Sequence, residues 1–300
     1  GCMPYGSANY AAYERLLGEI NRQRPAFTVH CGDTKAGAEP PSDEFLLQVR
    51  TWFDGIESAV MYTPGDNEWT DVHRTDGGAD PALWLKKVRS VYFPEERSMG
   101  RTPVPLITQR RDPGFAKFVE NARWSREGVI FATVHVVGSN NNNQPNVPGA
   151  VEEFKERDAA NAAWVRAAFT EARQTNAAGV ALFFQAEPIN NFAAAERDGR
   201  ESGFRNFLTA IDEESRSFKK PVLLVHADEH RYRLESKVTL VPGRGPLENV
   251  TRLETFGAND LHAVLVVVDP AAPQVFLAGP LIVPSNPLPV LPRPKKAGAG

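Results

Sequence analysis

Five short apolar runs in this 300-residue chain each end in a cluster of acidic, amide or imidazole side chains. The densest cluster is Thr63-Pro64-Gly65-Asp66-Asn67-Glu68-Trp69, with Asp71 just beyond it. Residues 59–62 are apolar and β-prone, so they read as a buried strand that Pro64-Gly65 breaks sharply. Asp66, Asn67, Glu68 and Asp71 can then hold a cation or a phosphate. Equivalent loops are Gly32-Asp33-Thr34-Lys35-Ala36-Gly37, Gly138-Ser139 with the asparagines that follow, Gln185-Ala186-Glu187-Pro188, and His226-Ala227-Asp228-Glu229-His230. In an open α/β sheet the carboxyl ends of strands share one rim, so these loops converge there. The rim then gathers Asp33, Asp66, Asn67, Glu68, Gln185, Asp228 and His230. Crowded carboxylates repel one another unless a cation neutralises them, which makes a metal the economical explanation. Taken singly, each acid also fits a turn or a helix cap, and His226 or His230 a satisfied core histidine.

The elements that must position these groups are legible from periodicity. Strands are expected at 27–31, 59–62, 128–137, 179–184 and 221–225. Helices are expected from Ser7 to about Arg22, from Ser42, from Asp80-Pro81, over about 151–175 and over 203–218. Residues 94–127, rich in Pro, Arg and Gly, read as an irregular excursion, and the asparagine run at 140–143 as a loop tolerant of left-handed backbone. After 230 the helices stop, and strands are expected near 231–234, 250–256, 263–268 and 274–277. The pattern fits one α/β domain over 1–280 with two packed sheets, followed by a proline-rich, extended or mobile tail at 281–300.

Bulk properties exclude several classes. Apolar content of 42% and charged content of 24% are those of an ordinary globular chain. A formal net charge of -3 gives no electrostatic case for nucleic acid or an anionic membrane. No apolar run is long enough to span a bilayer. Cys2 and Cys31 make neither a disulfide framework nor a zinc-type pair, although a single bridge between them stays open. The opening Gly1-Cys2-Met3-Pro4-Tyr5-Gly6 suits a loop following a strand that lies upstream. No G-x-G-x-x-G, P-loop or G-x-S-x-G is present.

The order Gly32-Asp33, Gly65-Asp66-Asn67-Glu68, a strand ending at Gln185, and Ala227-Asp228-Glu229-His230 resembles the calcineurin-like metallophosphoesterase superfamily. That family's pattern is D-x-H, then G-D, G-N-H-D/E, a lone His, and G-H-x-H. The resemblance covers Cys2 to His230, and the β-rich remainder suits the family's second sheet. It implies a four-layer αββα sandwich of two packed mixed sheets flanked by helices. It also implies metals that bridge and activate a water for phosphoester hydrolysis.

The departures redraw the ligand set. D-x-H falls on Cys2-Met3-Pro4, while Asp33 keeps the bridging position. The family's metal-binding Asn falls on Asp66, its acid-catalyst His on Asn67, its lone His on Gln185, and the last motif retains only His230. One ion would keep Asp33 and His230, with Cys2 as a soft ligand. The other would have Asp33, Asp66, Gln185 and Asp228, all oxygen, a set suited to Mg²⁺, Mn²⁺ or Ca²⁺ rather than zinc. The resemblance thus implies one hard-cation site and a second, transition-metal site that is damaged or absent. Asn67 and His230 stand at catalytic positions. Asn67, Lys35, His135 and Arg74 are the groups available to a phosphate, and Glu68, Glu229, His226 and His135 are replacements for the lost acid. The implied function is hydrolysis of a phosphomonoester or phosphodiester, with a phosphorylated small molecule as substrate. The alternative is a weak or inactive member that binds a cation or a phosphorylated ligand. Members of the family are often exported, which favours an exported or periplasmic location.

Overall fold

Amphipathic helices alternate with mostly apolar strands through two thirds of the chain, and β-strands dominate the described remainder. The computed structural model describes residues 1–287. In order the elements are α1 (Tyr10–Gln23), β1 (Phe27–Cys31), α2 (Asp43–Asp54), β2 (Ala59–Thr63), α3 (Pro81–Tyr92), β3 (Ile107–Thr108), β4 (Ala122–Arg126) and β5 (Val129–Thr133). A short turn α4 (Gly138–Asn141), α5 (Ala150–Gln174), β6 (Gly179–Phe183), α6 (Pro188–Arg197), α7 (Arg205–Phe218) and β7 (Val222–His226) follow. The last elements among the described residues are β8 (Arg233–Val238), β9 (Leu247–Glu254), β10 (Ala263–Val268) and β11 (Phe276–Leu281). Helix starts obey capping chemistry: Ser42 accepts the Phe45 N–H, and Asp80 accepts those of Ala82 and Leu83 ahead of a first-turn proline.

The fold is an α/β sandwich. A seven-stranded mixed sheet runs β3-β4-β5-β6-β7-β9-β8, with β5, β6, β7 and β9 mutually parallel. Its outer face buries Ala132, Leu182, Leu224 and Val250 under Trp164, Phe169, Phe207 and Ile211 of α5 and α7. Its inner face packs Phe131, Phe183, Leu223 and Leu253 against Cys31 and Met61 of the parallel pair β1-β2 and against Val264 and Val266 of the antiparallel pair β10-β11. Helices α1, α2 and α3 close the far side through Leu16, Phe53 and Val88. Parallel strands buried on both faces explain why β2, β5, β6 and β7 read as continuous apolar runs.

Three expectations are corrected. The excursion at 94–127 holds β3 and β4, which extend the large sheet by antiparallel pairing to β5. The strand expected over 128–137 ends its regular pairing at Thr133, because the Val136 carbonyl accepts both the Gln185 and Ala186 N–H groups. Helix α6 is an addition: Glu187 caps it by accepting the Asn190 and Asn191 N–H groups, with Pro188 in the first turn. Cys2 and Cys31 are buried and unbridged. The expected tail lies, from residue 288 onward, outside the described residues. Its first residues, 281–287, are described and are held by the fold: Leu281 ends β11, and Asn286 is buried and donates to the carbonyls of Ala12 (3.0 Å) and Leu261 (2.8 Å). No helix among the described residues is long and apolar enough to cross a membrane.

Candidate functional site

The loops after β1 and β2 are clasped by one side chain. Glu68 accepts from Asp33 N (3.1 Å), Gly65 N (2.8 Å) and Thr34 Oγ1 (2.8 Å), and also from Thr34 N. A carboxylate with four such donors is a fixed acceptor, which removes Glu68 as a substitute proton donor. The clasp brings backbones into contact: a Cβ on Gly65 would lie 2.0 Å from Asp33 Oδ1, so only glycine lets the second loop approach.

Asp33, Asp66 and Asp228, from the ends of β1, β2 and β7, converge so that one oxygen of each lies within 4.8 Å of the others. The turn after β5 supports them from the side. A Cβ on Gly138 would fall 2.5 Å from Asp66 Oδ2, and Ser139 Oγ donates to Asp66 Oδ2 at 3.0 Å while also reaching Asp71. Residues 139–142 all hold left-handed backbone, with φ of 50, 54, 53 and 61°, which asparagine tolerates best among residues with side chains.

Gln185 is present at the site, but in a different role from the one expected. Its Oε1 accepts the Gly138 N–H at 2.7 Å, which aims its amide nitrogen at Asp33 Oδ2 and Asp228 Oδ1, both at 3.0 Å. It therefore ties two carboxylates together as a donor and does not offer them an oxygen ligand. Asp33 Oδ2 also accepts from the Tyr5 hydroxyl (3.2 Å) and the Cys2 thiol (3.5 Å), and Cys2 Sγ accepts the Asp228 N–H (3.1 Å). Neutral donors thus surround Asp33 where the resemblance implied a second ion.

Electrostatics follow from burial. The Asp33 carboxyl is pushed well above its ordinary range by burial, then by Asp66 and Glu68. Burial, followed by Asp228 and Asp71, pushes Asp66 up to about 8. Burial raises Asp228 to about 6, opposed by the Glu187 N–H and Gln185 amide. Burial, then Asp33, raises the Cys2 thiol, which keeps its proton at neutral pH. Without a cation the trio is an acid store; with one, it can be a compact oxygen cage.

No family model matches the chain, and no curated protein matches its sequence.

Of the remaining expected residues, Asn67 lies at the rim. Its backbone N–H reaches Asp33 Oδ1 (3.2 Å) and its Nδ2 donates to the Tyr5 hydroxyl (3.0 Å). Lys35 is buried beside the loop, with Nζ donating to Ala36 O at 2.9 Å. Arg74 pairs with Asp71 (2.8 Å), so it reaches the trio only through Asp71 and Ser139. His230 stays outside the trio, its ring edge-on to Tyr5 at 5.3 Å and pressed over Gly257. His135 is buried: Nδ1 faces Glu120 (2.7 Å) and Nε2 accepts the Trp69 indole N–H (3.1 Å), so it is a core histidine and not a phosphate contact. His226 accepts from Arg252 Nε at 2.8 Å, and burial followed by Arg252 lowers it to about 3, too low for a neutral-pH acid. Glu229 points to solvent.

Sequence reasoning missed Tyr5, Ser139 and Gly138. Only the placement of Tyr5 three residues after Cys2, in a loop already suspected, and of Gly138-Ser139 at a strand end pointed toward them.

Proposed function

We propose that this chain is a divergent metallophosphoesterase whose Asp33, Asp66 and Asp228 hold one hard divalent cation, with Mg²⁺, Mn²⁺ or Ca²⁺ favoured. The supporting observation is the convergence of three carboxylates from three separate strand ends within 4.8 Å, two of them buried and Asp228 half-buried. The donor chemistry fits such a cation: all three ligands are hard oxygens, and their raised proton affinities reflect charge that burial leaves uncompensated. When bound, the cation would supply charge neutralisation and polarisation of a phosphoryl oxygen. Asn67 Nδ2 and Lys35 Nζ are the groups of this chain assigned to donate to a phosphorylated small molecule. Tyr5 fixes the orientation of Asn67 through its hydroxyl.

A second reading, a member that binds a cation or phosphorylated ligand without turning it over, draws on a specific observation. Neither His226 nor His135 can protonate a leaving group, and Gln185, Tyr5 and Cys2 fill the flank of Asp33 with donors. Assaying phosphomonoesters and phosphodiesters with Mg²⁺, Mn²⁺ or Ca²⁺, for wild type and Asp66→Asn, separates the two. Metal-dependent turnover lost in the variant supports hydrolysis. Cation binding by calorimetry without turnover supports the second reading, and neither signal would end both.

A further inference from the structure

A cavity of about 380 Å³ separates β1 from β10, and none of the three aspartates lines it. Its floor and roof are apolar, with Leu16 and Ile20 of α1 on one side and Phe131, Phe183 and Leu223 of the large sheet on the other. Its two flanks are strand edges. All of β1 and most of β10 line it, yet β1 pairs only with β2 and β10 only with β11 among the described residues. Backbone N–H and C=O groups along both edges therefore face an apolar slot without a ladder partner, which a folded interior does not tolerate. His30, on β1 and 7% exposed, has neither ring nitrogen bonded.

We propose that this slot seats a further β-strand of about five aliphatic residues, hydrogen-bonded parallel to β1 on one side and along β10 on the other, and leading into Gly1. The direction is set by the first residues of the chain. The Cys2 N–H donates to Gly32 O at 2.8 Å, and Gly1 lies so close to Cys31 O that a Cβ would meet it at 2.3 Å. Residues 1 and 2 thus run beside 31 and 32 in step, as a strand parallel to β1 does, and Gly1 and Met3 stand in the cavity wall. Apolar walls on both faces call for a continuous aliphatic run instead of alternation. The inserted strand would join the two pairs into one five-stranded sheet, ordered β2-β1-insert-β10-β11, and would anchor Cys2 and Tyr5 beside Asp33. The proposal needs no cation and stands apart from the proposed function.

The test compares three chains by amide hydrogen exchange, thermal melting and sedimentation: the chain from Gly1, one preceded by Val-Ile-Val-Ile-Val, and one preceded by Gly-Ser-Gly-Ser-Gly. The aliphatic extension is expected to slow exchange of the edge amides in residues 28–30 and 264–266 by about 100-fold and to raise Tm by about 10 °C. A Lys at its central position should abolish both effects. The chain from Gly1 alone should bind the apolar dye anilinonaphthalene sulfonate, and the aliphatic extension should displace it. Equal exchange in the aliphatic and Gly-Ser chains overturns the proposal. So does an absence of dye binding, or protection of both edges in the chain from Gly1 through a dimer seen by sedimentation, which would make a second copy the occupant.

Discussion

Asp33 receives the Asn67 N–H on one oxygen and the Gln185 amide, Tyr5 hydroxyl and Cys2 thiol on the other. The Asp66 carboxyl has fewer partners, the Ser139 hydroxyl and Asp33 itself. The two acids should therefore respond differently to loss of charge. Above about pH 8, where Asp66 is charged, Asp66→Asn relieves repulsion at little cost in hydrogen bonds, so cation-free stability should hold or rise by about 1 kcal/mol, and any cation-induced rise in Tm should disappear. Asp33→Asn strands part of its buried donor set and should cost about 1–3 kcal/mol even without cation. Denaturant titration with and without Mn²⁺ checks both. At Gly138 the added methyl of Gly138→Ala would press on Asp66 Oδ2, and cation affinity by calorimetry should fall at least about tenfold, the fold remaining intact by circular dichroism.

Between elements, the loops after β1 and β2 depend on Glu68 for their relative position, since its carboxylate takes donors from Asp33, Thr34 and Gly65. Glu68→Ala leaves these buried N–H groups without an acceptor and should destabilise the protein by about 3–5 kcal/mol in urea titration. The strands and most helices were legible because their burial repeats at the period of the element. Helix α6 was not, because its signal is a Glu-Pro start followed by polar and small residues, with Ile189, Phe192 and Ala195 as its buried apolar side chains. Strand β4 was not, because sheet-edge pairing to β5, and not hydrophobicity, holds Arg123, Ser125 and Arg126 extended.

For the whole molecule, the raised carboxyls make stability depend on pH. Asp66 at about 8 and Asp228 at about 6 in the folded state compare with about 3.9 for an unfolded aspartate. Between those limits the folded chain holds more protons than the unfolded one, so cation-free stability falls as pH rises from about 4 to about 8, by about 1.4 kcal/mol per pH unit for each retained proton. Glu254, raised to about 7 by burial, adds to the same trend but lies outside the trio. Melting from pH 4.5 to 8.5 should show the decline, and Asp66→Asn should flatten its upper half. A bound cation competes with those protons, so the Tm gain from Mn²⁺ should be larger at pH 8 than at pH 5.

The sequence alone determined the alternation of strand and helix, the β-rich end and the arrival of acids at successive strand ends. Those features rest on local periodicity and on breakers such as Pro64-Gly65, which act within a few residues. It also named Asp33, Asp66 and Asp228 as acids at strand ends, although they meet across two facing sheets, Asp33 and Asp66 from β1-β2 and Asp228 from the sheet that holds β7. Tertiary structure decided what each neighbouring group does there. Gln185 became a donor because the Gly138 N–H, 47 positions away in the chain, claims its oxygen. His135 and His226 became core residues because Trp69, Glu120 and Arg252 reach them from other elements. Tyr5 entered the site because the first loop folds back over Asp33. A side chain's chemistry is written in its type, but its hydrogen-bond partner and burial come from residues far off in sequence, and these set both its proton affinity and the direction it faces.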